Sequence, residues 1–200
     1  MPLKKLKRKL PIRNLTVTAM LAAVSTILMF LSFNVPLVPS FLRMDLSELP
    51  ALIGAYALGP WYGVAVCLIK NLFNVFRTTT GGIGELSNFL LGSIFVLASG
   101  IWYRRDHTRR GAVLGAFVGD VAMAGLSLLT NYYLVFPVYF TFMPEETILN
   151  MYQAILPSVD SLFEALLIFN VPFTFVKGLL SVIVCLLIYK RLSPLLKKKS

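Results

Sequence analysis

Apolar positions along the chain gather into six runs separated by short polar breaks. The first, about Leu15 to Phe33, holds roughly the 20 residues a helix needs to cross hydrocarbon. A basic stretch precedes it, as in a signal peptide. The run is too long for that, however, and Ser32-Phe33-Asn34 is a poor cleavage site. The second run, about Ser47 to Leu58, is short and ends at the helix-breaking pair Gly59-Pro60. The others cover about Trp61 to Phe76, Gly84 to Tyr103, Gly111 to Phe136 and Leu162 to Tyr189. The last two exceed a perpendicular crossing and so tilt or extend past the bilayer. The short second helix must lie among the others, because its end groups cannot face lipid. The pattern predicts an all-α membrane protein with six transmembrane helices in one domain, residues 1–200. Long loops follow helices one and five, at Asn34 to Leu46 and Pro137 to Asp160.

Composition agrees: hydrophobic residues make up 57% and charged residues 14% of the chain. A soluble domain averages about 25% charged residues, and one this small cannot bury so much apolar surface. A disordered tail, a secreted disulfide scaffold and most soluble enzymes are thereby excluded. Cys67 and Cys185 lie inside apolar runs and read as packed hydrophobes.

The net charge of +10 first suggests nucleic acid, but its distribution argues against that partner. Fifteen of the nineteen Lys and Arg fall in three blocks: Lys4 to Arg13, Arg104 to Arg110, and Lys190 to Lys199. With both termini cytoplasmic, six crossings place all three blocks inside, as the positive-inside rule requires. Residues 1–14 and 190–200 then form basic cytoplasmic tails beside anionic lipid. The loops facing out carry Asp45, Glu48, Glu145, Glu146 and Asp160, with Arg43 and Arg77 as exceptions.

Catalytic chemistry is poorly supplied. A phosphate-binding loop needs GxxxxGK[ST], and Gly81-Gly82-Ile83-Gly84 lacks both the lysine and the hydroxyl. No GxSxG occurs, no His spacing suits a metal, and the single histidine, His107, sits among Arg105, Asp106 and Arg109. Asp120, in helix five, has no acidic neighbour in sequence. An intramembrane enzyme is the weaker reading.

Polar residues within the runs are the informative ones. A lysine at a helix centre costs about 2.5–3.5 kcal/mol on insertion scales, so it faces a partner or a cavity. Lys177 lies midway along the sixth run. Asn170 and Thr174 precede it by seven and three residues, on the same helix face. Lys70 stands beside Asn71 and Asn74, with Glu48 or Glu85 as its expected partner. Glu85 and Asn88 open helix four, and Asn131 with Tyr132 lies near the outer end of helix five. For Lys177 the sequence offers no acid closer than Glu164, over three turns away. Neutral donors plus one lysine, roofed by long loops, suit a polar, mostly uncharged small molecule.

The stretch Phe41-Leu42-Arg43-Met44-Asp45-Leu46-Ser47-Glu48-Leu49-Pro50-Ala51-Leu52-Ile53-Gly54 resembles the riboflavin-specific substrate-binding (S) components of energy-coupling factor (ECF) transporters. So do Gly59-Pro60 with Gly63, Lys70-Asn71-Leu72, Gly82-Ile83-Gly84-Glu85 with Asn88-Phe89, and Lys177-Gly178-Leu179-Leu180. The six-helix plan and the Ala19-xxx-Ala23 face match as well. The resemblance implies a non-enzymatic bacterial cell-membrane subunit that binds riboflavin on the outer face, with no cofactor or metal. It implies docking on a transmembrane T component that carries two cytoplasmic ABC-type ATPases, through helix one at Ala19, Ala22 and Ala23.

By the same resemblance the pocket draws on Phe41, Leu42, Arg43, Met44 and Asp45 of the first loop. Glu85, Asn88, Asn131, Tyr132, Asn170, Thr174 and Lys177 come from helices four to six. Phe41, Leu42, Met44 and Tyr132 would cover the flat ring, and Lys177 and Asn131 would donate to its carbonyl edge. The family has asparagine three residues before the lysine, where this chain has Thr174. An S component for another vitamin, such as pantothenate, is the alternative.

Overall fold

The computed structural model describes residues 12–78 and 80–196. The basic stretch 1–11 and residues 197–200 therefore lie outside the described residues. Within them the chain forms seven helices and one short hairpin. Helix α1 is Ile12–Phe30, followed by strands β1 (Phe33–Asn34) and β2 (Arg43–Met44). The strands pair antiparallel, with Phe33 opposite Met44 and Asn34 opposite Arg43. Helices α2 (Glu48–Ala57) and α3 (Pro60–Asn74) form a hairpin about Gly59, whose φ of 123° favours glycine. A 3₁₀ turn, Val75–Arg77, prolongs α3, and α4 is Ile83–Tyr103. Helix α5 runs over Arg109–Tyr139, α6 over Glu145–Gln153, and α7 from Leu162 to Leu196.

Four helical stretches are long and apolar enough to cross a membrane: Ile12–Phe30, Ile83–Tyr103, Arg109–Tyr139 and Leu162–Ile188. Helix α2 has 10 residues and α3 has 15, lengths of about 15 and 22 Å against a hydrocarbon core of about 30 Å. Against the expected six crossings, of which the second was short, four helices are full-length candidate spans and both helices of the α2–α3 hairpin are shorter. As the short second run required, α2 is enclosed, packing on α1, α3, α4 and α7. Two expectations are corrected outside the spans. The segment Pro137 to Asp160 is not one loop, because α5 continues to Tyr139 and α6 forms within it. The start of the C-terminal tail is helical, since α7 continues to Leu196.

Both α5 and α7 widen into a π-helical turn, at Asn131–Val135 and Leu166–Asn170. Each turn ends two residues before a proline, Pro137 or Pro172. Proline inside a helix lacks the N–H and crowds the carbonyl four residues back. A π turn moves that carbonyl aside and keeps the helix continuous. It also resets which face the following residues present.

The core has two parts. One joins α2, α3, α4, α5 and α7 through residues such as Leu52, Val66, Phe95 and Met123. The other lies under α6, where Tyr152, Ile148 and Val159 meet Phe136, Leu166 and Phe169. Helix α6 is thereby fastened across the ends of α5 and α7. Helices α4 and α5 approach closely along Gly115 and Gly119. A Cβ on Gly119 would lie 2.6 Å from the Phe95 carbonyl oxygen. Small residues at this spacing let helix backbones touch inside a bilayer.

Candidate ligand-binding site

A cavity opens between the β1–β2 loop and the ends of α4, α5 and α7 on the side of α6. Ten of the residues singled out from sequence line it: Phe41, Leu42, Arg43, Asp45, Glu85, Asn88, Asn131, Asn170, Thr174 and Lys177. Two do not. Met44 is buried on β2, where alternation along the strand turns it away from its neighbour Arg43. Tyr132 lies on the outer side of the π turn and packs edge-on against Tyr133 and Phe163, with ring centroids 5.0 and 5.7 Å away. A uniform α-helical period cannot place a residue inside a π turn.

Beside the wall lies a buried cluster of four charges. Lys70 on α3 contacts Glu48 on α2 at 2.9 Å, so Glu48 rather than Glu85 is its partner. Lys177 contacts Asp45 of the loop at 3.0 Å and Glu48 at 3.5 Å. Both acids lie far from Lys177 in sequence, which is why no partner was foreseen for it. Ser47 ties the cluster together. Its hydroxyl accepts from Lys70, its amide donates to Asp45 at 2.7 Å, and its carbonyl accepts from Ser25 on α1. Two acids and two lysines cancel, as burial demands.

Burial by itself would push the Asp45 carboxyl up. The ammonium groups of Lys177 and Lys70 and the hydrogen bonds from Ser47 outweigh it and hold the carboxyl at about 2. A depressed carboxyl stabilises the fold above its unfolded value of about 3.9 and stops doing so as pH falls towards 2. The tie between the loop and α7 is therefore intact at any physiological pH.

Lysine has three N–H donors. Those of Lys177 face Asp45, Glu48 and, at 3.3 Å, the Asn88 carbonyl oxygen. A ligand could claim one only by replacing a longer contact. Unengaged donors come from the asparagines. The Asn131 side-chain oxygen accepts from Ser87 at 3.0 Å, and that of Asn170 accepts from Tyr152 at 2.8 Å. With each oxygen engaged, the amide NH₂ groups remain for the cavity. The two π turns position both residues, since Asn131 begins one and Asn170 ends the other. Glu85 is the matching acceptor, held by Asn74 and Thr78, each at 2.8 Å.

Several wall residues were not singled out from sequence: Met29, Arg77, Phe136, Tyr139 and Phe173. The Arg77 guanidinium sits 4.6 Å above the Phe30 ring, a cation–π contact from the end of α3 to the end of α1. Arg77 was noticed only as an exception to the charge rule, and that exception was the available signal. Phe41 packs edge-on against Tyr152 at 5.7 Å and tilts on Tyr139 at 6.4 Å. A second cavity beneath α6 shares Phe41, Thr80, Phe136 and Tyr139 with the first. Among the described residues no group of acids, histidines or cysteines could hold a metal.

A cavity of mixed polar and apolar lining at one end of a helix bundle, walled on one side by a loop, suits a small-molecule binding subunit. The sequence profile of the ECF transporter, substrate-specific component, matches residues 13–189. The chain belongs to this family. It is thus a multi-pass membrane component of a transporter and not an enzyme, and S components work with a T component and ATPases. It is 29% identical over 186 residues to the riboflavin transporter RibU of Staphylococcus aureus, covering 93% of each chain. It is 28% identical over 191 residues to the riboflavin transporter FmnP of Bacillus subtilis, covering 94% of this chain and 96% of that one. A solved S component of a bacterial ECF transporter superimposes with a TM-score of 0.73 at 28% identity, covering 92% of this chain and 98% of that one.

The proposed docking face on α1 divides in the structure. Ala22 is buried with Thr18 and Ser25 against the rest of the bundle, so it is withdrawn from that face. Ala19 and Ala23 stay exposed beside Met20 and Ile27. The divergence follows from the 100° step of the helix, which puts positions 18, 22 and 25 on one stripe and 19 and 23 on the next.

Proposed function

We propose that this S component captures riboflavin on the outer face of the membrane and delivers it inward when docked on a T component and two ATPases. The observation that carries the reading is the match between wall and ligand. An isoalloxazine ring is flat and largely apolar, with carbonyl and ring-nitrogen acceptors along one edge. Phe41, Leu42 and Phe136 supply apolar surface, and the amides of Asn131 and Asn170 supply donors. The sugar-alcohol chain both donates and accepts, which suits Glu85 and Thr174. Thr174 stands where the family has asparagine, so one donor is replaced by a hydroxyl, and Asn170 lies one turn away to compensate. The wall carries Arg43, Arg77 and Lys177 against Asp45, Glu48 and Glu85. Three charges of each sign suit a neutral vitamin. The full-length relatives described as riboflavin transporters support the same ligand.

The test is direct binding of purified protein to a panel of vitamins, read by calorimetry and by flavin fluorescence. Quenched fluorescence and a saturable riboflavin isotherm are expected. Binding of pantothenate or another vitamin with no response to riboflavin would replace the ligand and keep the family. Docking is tested separately. Ala19→Trp and Ala23→Trp are expected to preserve binding and abolish uptake, because indole rings keep a partner helix from close approach. Normal uptake by both variants would move the docking face elsewhere.

A further inference from the structure

Below the cavity one ionisable side chain has no place in the site. Asp120 on α5 is 0% exposed, and neither of its carboxyl oxygens has a hydrogen-bond partner among the described residues. It lies one turn beyond Met123, which lines the cavity floor. Its carboxyl occupies the space left by Gly178 on α7, where a Cβ would collide with it. Among the described residues the helices packed on α5 bring no counter-charge. Helix α4 presents Phe95 and Ser99 here, and the Ser99 hydroxyl is donated to the Phe95 carbonyl at 2.6 Å. From α7 the adjacent Lys177 turns its ammonium to Asp45 and Glu48, and Cys185 lies two turns further along. Glu85 of α4 and Glu164 of α7 lie near the ends of those helices on the cavity side, and Tyr103 lies one turn from Ser99 at the other end of α4.

The four-charge cluster is already neutral, so an ionised Asp120 would be an uncompensated charge inside a membrane bundle. Such a group discards its charge instead of bearing the cost of desolvation. We propose that Asp120 is a proton-binding site, occupied in this conformation and emptied when α5 and α7 part at Gly178. Parting of these helices beneath the cavity floor would admit water to the carboxyl, which then ionises as an ordinary aspartate, about 3.9. At neutral pH this favours the parted arrangement. Loss of the proton thus opposes the closed packing of α5 on α7, and a rise in pH weakens the closed state. The inference concerns the α5–α7 contact and holds whichever vitamin the cavity takes.

Infrared spectroscopy of the intact purified protein at pH 6 tests it. Aqueous carboxyls are ionised at that pH, so a carboxylic-acid carbonyl band that shifts on deuterium exchange is expected from Asp120, and Asp120→Asn should lack it. Melting in detergent supplies a second readout. The asparagine mimics the neutral acid, so the two proteins should melt alike near pH 4. The variant should melt higher, by roughly 5 °C, near pH 8. Absence of the band from the wild-type protein would overturn the proposal, even if the variant failed to fold. A melting difference that does not change with pH would overturn it as well.

Discussion

Lys177→Met should weaken riboflavin binding at least tenfold, about 1.4 kcal/mol. The side chain joins the β1–β2 loop to α7 through Asp45 and reaches Glu48 on α2. Methionine keeps most of the apolar stem and removes the charge. Asp45 and Glu48 would then share Lys70 alone, leaving one excess negative charge beside the cavity. The loop that bears Phe41, Leu42 and Arg43 would lose its tie to the helix opposite. Titration of purified protein with riboflavin measures the effect. The double variant Asp45→Asn with Lys177→Met distinguishes two origins for it. Neutrality is restored there but the tie is not, so recovered affinity assigns Lys177 to neutralising the two acids, whereas continued loss assigns it to a direct contact with the loop or the ligand. Unchanged affinity in the single variant would reject both roles.

The second large effect concerns the fold. Lys70 is fully buried, and its ammonium is satisfied by Glu48 and Ser47. Lys70→Met is expected to destabilise the ligand-free protein by about 3–5 kcal/mol, the cost of leaving a buried charge without its partner. The remaining contact from Lys177 to Glu48, at 3.5 Å, places the result at the lower end of that range. Adding Glu48→Gln removes the stranded charge and should restore most of the stability. Thermal or denaturant unfolding in detergent reports both. A single variant that loses less than about 1 kcal/mol would mean that water or Lys177 already compensates Glu48.

These two lysines show how far the chain could be read before folding. Each stood out because a charge inside an apolar run must be answered by something. For Lys70 the answer was among the acids named beforehand, because Glu48 and Lys70 lie on consecutive helices joined by a tight turn. For Lys177 it was not, because Asp45 is 132 residues away. The same contrast holds around the cavity. Asn131 and Asn170 were visible as polar residues in apolar surroundings, but their orientation depends on π turns. Those turns had a signal in Pro137 and Pro172. The periodic pattern treated both runs as regular helices, and the resemblance, read on that pattern, placed Tyr132 on the wall.

What the amino-acid order alone determined here is the solvent of the protein, the positions of its long helices and the residues whose polarity requires an explanation. Those properties are local: they follow from transfer of side chains to hydrocarbon and from the reach of one helical turn. What only the tertiary structure decided is which charges cancel, which donors remain for a ligand, and that Ala22 and Met44 turn inward while Tyr132 turns out. Those properties depend on helices distant in sequence meeting at ångström range, where Coulomb and hydrogen-bond energies change sharply with distance and no periodicity in the chain records the outcome.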